Sequence, residues 1–111
     1  GLLPVSESAS RLLCARGVKT VDGGFMWTAD KRLRLSSPSR FSEAQVCAFL
    51  SAITVPTLLI MAENSLHFNP HDYAARVAAH PQLTVVKLAG GHHLHVDDNV
   101  DGVFQAIKTF L

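Results

Sequence analysis

The segment of this 111-residue chain that carries the most chemistry runs Gly90-Gly91-His92-His93-Leu94-His95-Val96-Asp97. Paired glycines let a backbone turn sharply, and a histidine follows them at once. Imidazole titrates near neutral pH, so a ring held at a fixed, solvent-reachable position serves as a general base. The His92-His93-x-His95 cluster offers a second chemistry, zinc ligation. Real zinc sites draw three or four ligands with spacing suited to one face, and here the two cysteines, Cys14 and Cys47, lie too far apart to add a pair. The base reading is preferred, with His92 as the base and His93 and His95 as packing and hydrogen-bonding residues. Gly90-Gly91 lacks the third glycine and downstream acid of a dinucleotide fingerprint, so no cofactor and no metal is expected. A second segment, Glu63-Asn64-Ser65-Leu66-His67, contributes a carboxylate, Glu63.

These loops need elements to hold them. Thr57-Leu58-Leu59-Ile60-Met61-Ala62 is apolar at every position, which suits a strand buried on both faces of a parallel sheet. Asn69-Pro70 marks a helix start, and that helix runs through Tyr73, Val77 and Ala78 to stop before Pro81. Leu83 to Leu88 is a second strand. Asn99 caps a last helix whose Val100, Val103, Phe104, Ile107 and Leu111 face one way. The order β-α-β-α from residue 57 to 111 has the spacing of a right-handed crossover. Glu63 and His92 then both lie past the carboxyl ends of parallel strands, where open α/β sheets gather their ligands. Two parallel strands are not a stable sheet by themselves, so further strands are expected upstream of Gly1.

Upstream of residue 56 the signals are mixed. Ser6 to Arg16 reads as a helix capped by Ser6 and stopped by a left-handed Gly17. Gly23-Gly24 turns a hairpin, and Ser36-Ser37-Pro38-Ser39 is a loop. Ser42 and Gln45 form a capping box, Phe41 and Val46 stand at staple spacing, and Val46, Phe49, Leu50 and Ile53 share a face. Phe25 and Trp27 read as the lining of a substrate pocket or, preferred, as the anchor of a small local core; Asp30 with Lys31 and Arg32 reads as a surface pair, and both cysteines as buried helical thiols.

From Pro56 onward the residues resemble an α/β-hydrolase: Pro56 to Glu63, then Gly90 to Asp97, then the helix closing on Ile107 to Leu111. Gly24 to Arg34 resembles the end of the cap in the serine hydrolase-like branch. The resemblance implies an α/β fold made of the C-terminal portion of an α/β-hydrolase, the last two parallel core strands with flanking helices, preceded by part of the cap. Residues 1–55 would be a cap remnant and lead-in helix, and 56–111 the core portion. By position His92 falls on the family's catalytic histidine. The usual acid position after the penultimate strand holds Ser65, which cannot stabilise an imidazolium by charge. Glu63 is the carboxylate at hand, and an acid from an earlier strand is the other source. No G-x-S-x-G elbow occurs; Ser6-Glu7-Ser8-Ala9-Ser10 is a loose match, and Ser6 serves better as a cap. A parent with an upstream serine would hydrolyse esters or other acyl compounds, whereas an upstream aspartate would give dehalogenation or epoxide opening. The chain alone is expected to be inactive. The alternative is a truncated or pseudo-hydrolase that binds a partner through its sheet edge and apolar faces.

Composition bounds the rest. A 12.0 kDa chain that is 48% hydrophobic is one folded domain at most. Only 17% of residues are charged, against about 25% usually, a greasy surface for so small a fold. That fits self-association or pairing with a missing N-terminal half. Seven of the ten basic residues lie between Arg11 and Arg40, but the net charge is only +1 and few aromatics interleave, which argues against nucleic acid. No apolar run approaches the roughly 18 residues of a membrane helix. No export signal is visible, so the expected compartment is the cytoplasm, and the expected substrate in the parent is a small ester-like molecule.

Overall fold

The computed structural model describes residues 4–65 and 70–111, with residues 70–72 described as backbone only. Four α-helices and four strands follow one another along it: α1 (Glu7–Gly17), β1 (Val18–Val21), β2 (Gly24–Trp27), α2 (Glu43–Ser51), β3 (Thr57–Ala62), α3 (Pro70–Ala79), β4 (Leu83–Leu88) and α4 (Val100–Phe110). They form two compact units, Gly1–Ser39 and Arg40–Leu111. The helix α2 thus shares a unit with β3 and β4, although the sequence reading sets its boundary after residue 55.

In the first unit Ser6 caps α1, its Oγ accepting from the Ala9 N–H at 3.1 Å. The helix does not end in a left-handed glycine. Gly17 is its last residue and Val18 leaves in extended conformation. What Gly17 supplies is room: a Cβ there would stand 3.2 Å from the Trp27 ring. β1 and β2 pair antiparallel with Val21 opposite Gly24, so the turn is Asp22-Gly23, and Gly23 takes the positive φ of 79° that this two-residue turn demands. Asp30 caps a short 3₁₀ turn over Lys31–Arg34 and pairs with Arg32, which holds its carboxyl below the usual range.

The expectation of a local aromatic core is corrected here. Phe25 is 80% exposed and Trp27 66%. With Met26, Cys14 and Ala15 they line an open groove of about 690 Å³. One helix and one hairpin have too little surface to cover both faces of the pair, so the larger apolar side chains stay in water. Cys14 is exposed rather than buried, and Cys47 is half-buried.

The second unit is built around two parallel strands in full register, Thr57 opposite Leu83 through Ala62 opposite Leu88. Every position of β3 is buried or half-buried, which is why its sequence shows no alternation. The helix α2 opens with the expected capping box: the Ser42 Oγ accepts from the Gln45 N–H, and the Gln45 side chain accepts from the Ser42 N–H at 2.9 Å. Phe49 departs from the expected face. It is exposed and meets Phe41 edge to face, ring centroids 5.2 Å apart. The proposed Asn69 cap lies outside the described residues, but α3 does begin at Pro70 and end before Pro81.

A two-pronged ion pair joins α2 to α3, Arg76 donating to both carboxylate oxygens of Glu43. Hydrogen bonding from Arg76 holds the Glu43 carboxyl below its ordinary value. A carboxyl lowered in the folded state adds stability above the ordinary glutamate range, and that stability is lost as pH falls through the folded value. Urea midpoints of the chain and of its Glu43→Gln variant therefore differ at neutral pH and converge in acid. The gap is small, because both partners are more than a third exposed.

Burial is sparse. Among the described residues only Ala9, Ala62, Leu94 and His80 are buried. The apolar stripe of α4 is mostly open, with Phe104 58% and Leu111 95% exposed. β3 and β4 pair only with each other among the described residues, so each keeps an unpaired edge. No helix of the described residues is long and apolar enough to cross a membrane.

Candidate functional site

Because β3 and β4 run parallel, Ala62 and Leu88 finish at the same end of the sheet. Pairing continues one step past both strands. The Glu63 N–H donates to the Leu88 carbonyl at 2.9 Å, and the Asn64 N–H to the Gly90 carbonyl at 3.1 Å. The two loops are thereby tied side by side. Gly90 has a φ of 133°, a conformation that side chains rarely adopt, and a Cβ on it would meet the Leu94 Cβ at 3.1 Å.

From there the chain coils tightly into α4. The Gly91 N–H donates to the Asp98 carboxylate. The Leu94 N–H donates to Gly91 at 3.1 Å and the Asn99 N–H to Leu94 at 3.1 Å. Leu94 is turned inward beneath the loop and is 6% exposed. Asn99 has two tasks: its Oδ1 caps α4 by accepting from the Gly102 N–H at 3.1 Å, and its Nδ2–H donates to the Ala89 carbonyl at 2.8 Å. An Asn99→Ala substitution removes both, and should lower stability by about 1–2 kcal/mol in equilibrium denaturation. Asn99→Asp keeps the cap and loses only the Ala89 bond, so it should fall between the two.

His92 stands exposed on this coil. Its Nδ1 lies 3.1 Å from the Ser65 Oγ. Among the described residues its Nε2 has no hydrogen-bond partner. The His93 ring packs against it edge to face, centroids 5.0 Å apart. His92 and Ser65 open onto a concavity of about 240 Å³ whose other walls include Ile60, Ala62, Leu94, His95 and Val103. A mostly apolar pocket lined by two exposed imidazoles, His92 and His95, can take a small apolar group and move a proton beside it.

The structure brings Ser65 to the imidazole and leaves Glu63 aside: the Glu63 side chain is exposed and makes no hydrogen bond to His92 among the described residues. His93 is half-buried, and His95 is exposed with its ring 6.1 Å from that of His93. Among the described residues no group of three or more His, Cys, Asp or Glu is placed to hold a metal ion. Sequence reading missed the brace from Asp98 to Gly91 and the tether from Asn99 to Ala89. The first spans seven residues and the second ten, beyond the reach of a capping rule.

No family model matches the chain. A serine hydrolase-like protein of Danio rerio is 30% identical over 113 aligned residues, which cover 96% of this chain and 34% of that protein. Among solved structures, the hypothetical protein PA1622 of Pseudomonas aeruginosa PAO1 superposes with a TM-score of 0.81 at 35% identity, covering 99% of this chain and 38% of its own. A thioesterase domain from the curacin biosynthetic pathway gives a TM-score of 0.68 at 25% identity over 95% of this chain and 44% of its own. The chain belongs to the α/β-hydrolase superfamily. Its fold is a partial α/β-hydrolase fold, as the β-α-β-α order and the Gly-Gly-His segment lead one to expect. This hydrolase-related chain spans about a third of the curated relative it matches.

Proposed function

We propose that this chain is the C-terminal portion of a serine-type α/β-hydrolase and supplies the histidine of its catalytic machinery but not the nucleophile. The observation that carries this reading is His92: exposed past the end of β4, hydrogen-bonded through Nδ1, and lining a mostly apolar pocket. In the complete hydrolase a serine outside these residues attacks the acyl carbonyl while His92 Nε2 takes its proton. The imidazolium then protonates the leaving group, and water, deprotonated by the same nitrogen, releases the acid. A carboxylate that supports the imidazolium comes from a segment outside these residues, since Glu63 makes no hydrogen bond to His92. The likeness to a thioesterase domain favours acyl compounds over haloalkanes or epoxides as the substrate class. Two free thiols suit a reducing cytoplasm.

The deciding assay compares the 111-residue chain with the longer hydrolase on a generic short-chain ester. Activity confined to the longer protein, and abolished by a serine-directed inhibitor, supports the reading. A second reading, a partner-binding module without catalysis, is favoured by the open stripe of α4 and the unpaired strand edges. An inactive longer protein together with self-association of this chain would support it instead.

A further inference from the structure

We propose that Ser65 is the positioning residue for His92: its Oγ accepts a hydrogen bond from the ring Nδ1–H and so leaves the Nε2 lone pair facing outward as the base. The inference rests on the reading of His92 as a proton shuttle and adds to it how the ring is aimed.

Both ends of the 3.1 Å contact are anchored. Ser65 sits in the turn closing β3, its N–H bonded to the Ala62 carbonyl at 3.2 Å. His92 sits in a coil tied to that turn by the bond from the Asn64 N–H to the Gly90 carbonyl. A neutral imidazole carries one ring proton, and the group facing one nitrogen decides which nitrogen keeps it. A hydroxyl has two lone pairs and can accept there. The opposite arrangement, with the hydroxyl donating, would place the proton on Nε2 and make that nitrogen useless as a base. The contact is also neutral. It aims the ring without the ion pairing by which a carboxylate would favour the imidazolium.

The test is nitrogen-15 NMR of the labelled 111-residue chain above the titration range of its histidines, reading which nitrogen of His92 is protonated. The expected spectrum has His92 protonated on Nδ1. Ser65→Ala shifts the ring away from that form, and Ser65→Thr, which restores a hydroxyl, brings it back. Protonation on Nε2 in the unmodified chain overturns the proposal, and so does a Ser65→Ala ring that keeps its proton on Nδ1. If Ser65→Ala unfolds, the unmodified chain and Ser65→Thr still decide. Failure here is distinct from failure of the shuttle reading, which is judged by the rate of the longer hydrolase without His92, whatever the tautomer.

Discussion

In the complete hydrolase proposed above, His92→Ala should lower kcat/KM on a short-chain ester by about 10⁴-fold or more and leave substrate affinity nearly unchanged. The size of the loss follows from the double use of one nitrogen. Without Nε2 the nucleophile keeps its proton during attack, and the leaving group departs unprotonated. Affinity holds because most of the pocket lining is apolar side chains such as Ile60, Met61 and Val103, which the substitution leaves in place. The loss therefore falls on kcat, the signature of a group that acts in the transition state. Steady-state kinetics with an ester of known KM make the split visible. A fall confined to KM would assign the ring to binding alone.

Leu94→Ala carries the largest expected cost in stability, about 2–5 kcal/mol. Leu94 is the one large apolar side chain among the buried described residues, and it belongs to the coil that carries His92. Its removal opens a void that the coil cannot easily close. The Gly91 N–H is held by Asp98 and Asn99 is tied to Ala89, so the backbone around the void is braced. With so few buried residues to share the load, a loss of this size is a large part of the total stability of a small unit. Urea denaturation of the 111-residue chain measures it. Leu94→Met, which nearly conserves volume, should cost less than about 1.5 kcal/mol.

The parts of this molecule legible in its sequence are those fixed by near neighbours. The Ser42–Gln45 capping box, the Asn99 cap, the hairpin at Gly23 and the two apolar strands all follow from residues within a few positions of each other. The parallel pairing of β3 with β4 was legible too, because a helix-length crossover leaves little alternative. Position in the fold likewise took Glu63 and His92 to the same end of the sheet.

What the pattern of residues could not state is what covers an apolar face. Val100, Phe104, Ile107 and Leu111 read as a helix face turned to a core, and the described residues leave them exposed. Periodicity names a face but not its partner. Phe25 and Trp27 fail as a local core for the same reason. Gly17 shows a different limit: a glycine after a helix usually signals a left-handed stop, and here it makes room for an aromatic ring arriving ten residues later. The bond between Ser65 and His92 joins residues 27 apart, and only placement of both loops at one sheet end puts it within reach.

One measurement bears directly on whether the imidazole at position 92 serves a nucleophile that lies outside these residues. The longer hydrolase is treated with a serine-directed fluorophosphonate, digested, and mapped by mass spectrometry, with and without His92→Ala. The expected result is a labelled serine outside residues 1–111 and labelling slowed by orders of magnitude in the variant. A label on Ser8 or Ser65, or labelling indifferent to His92, would contradict it.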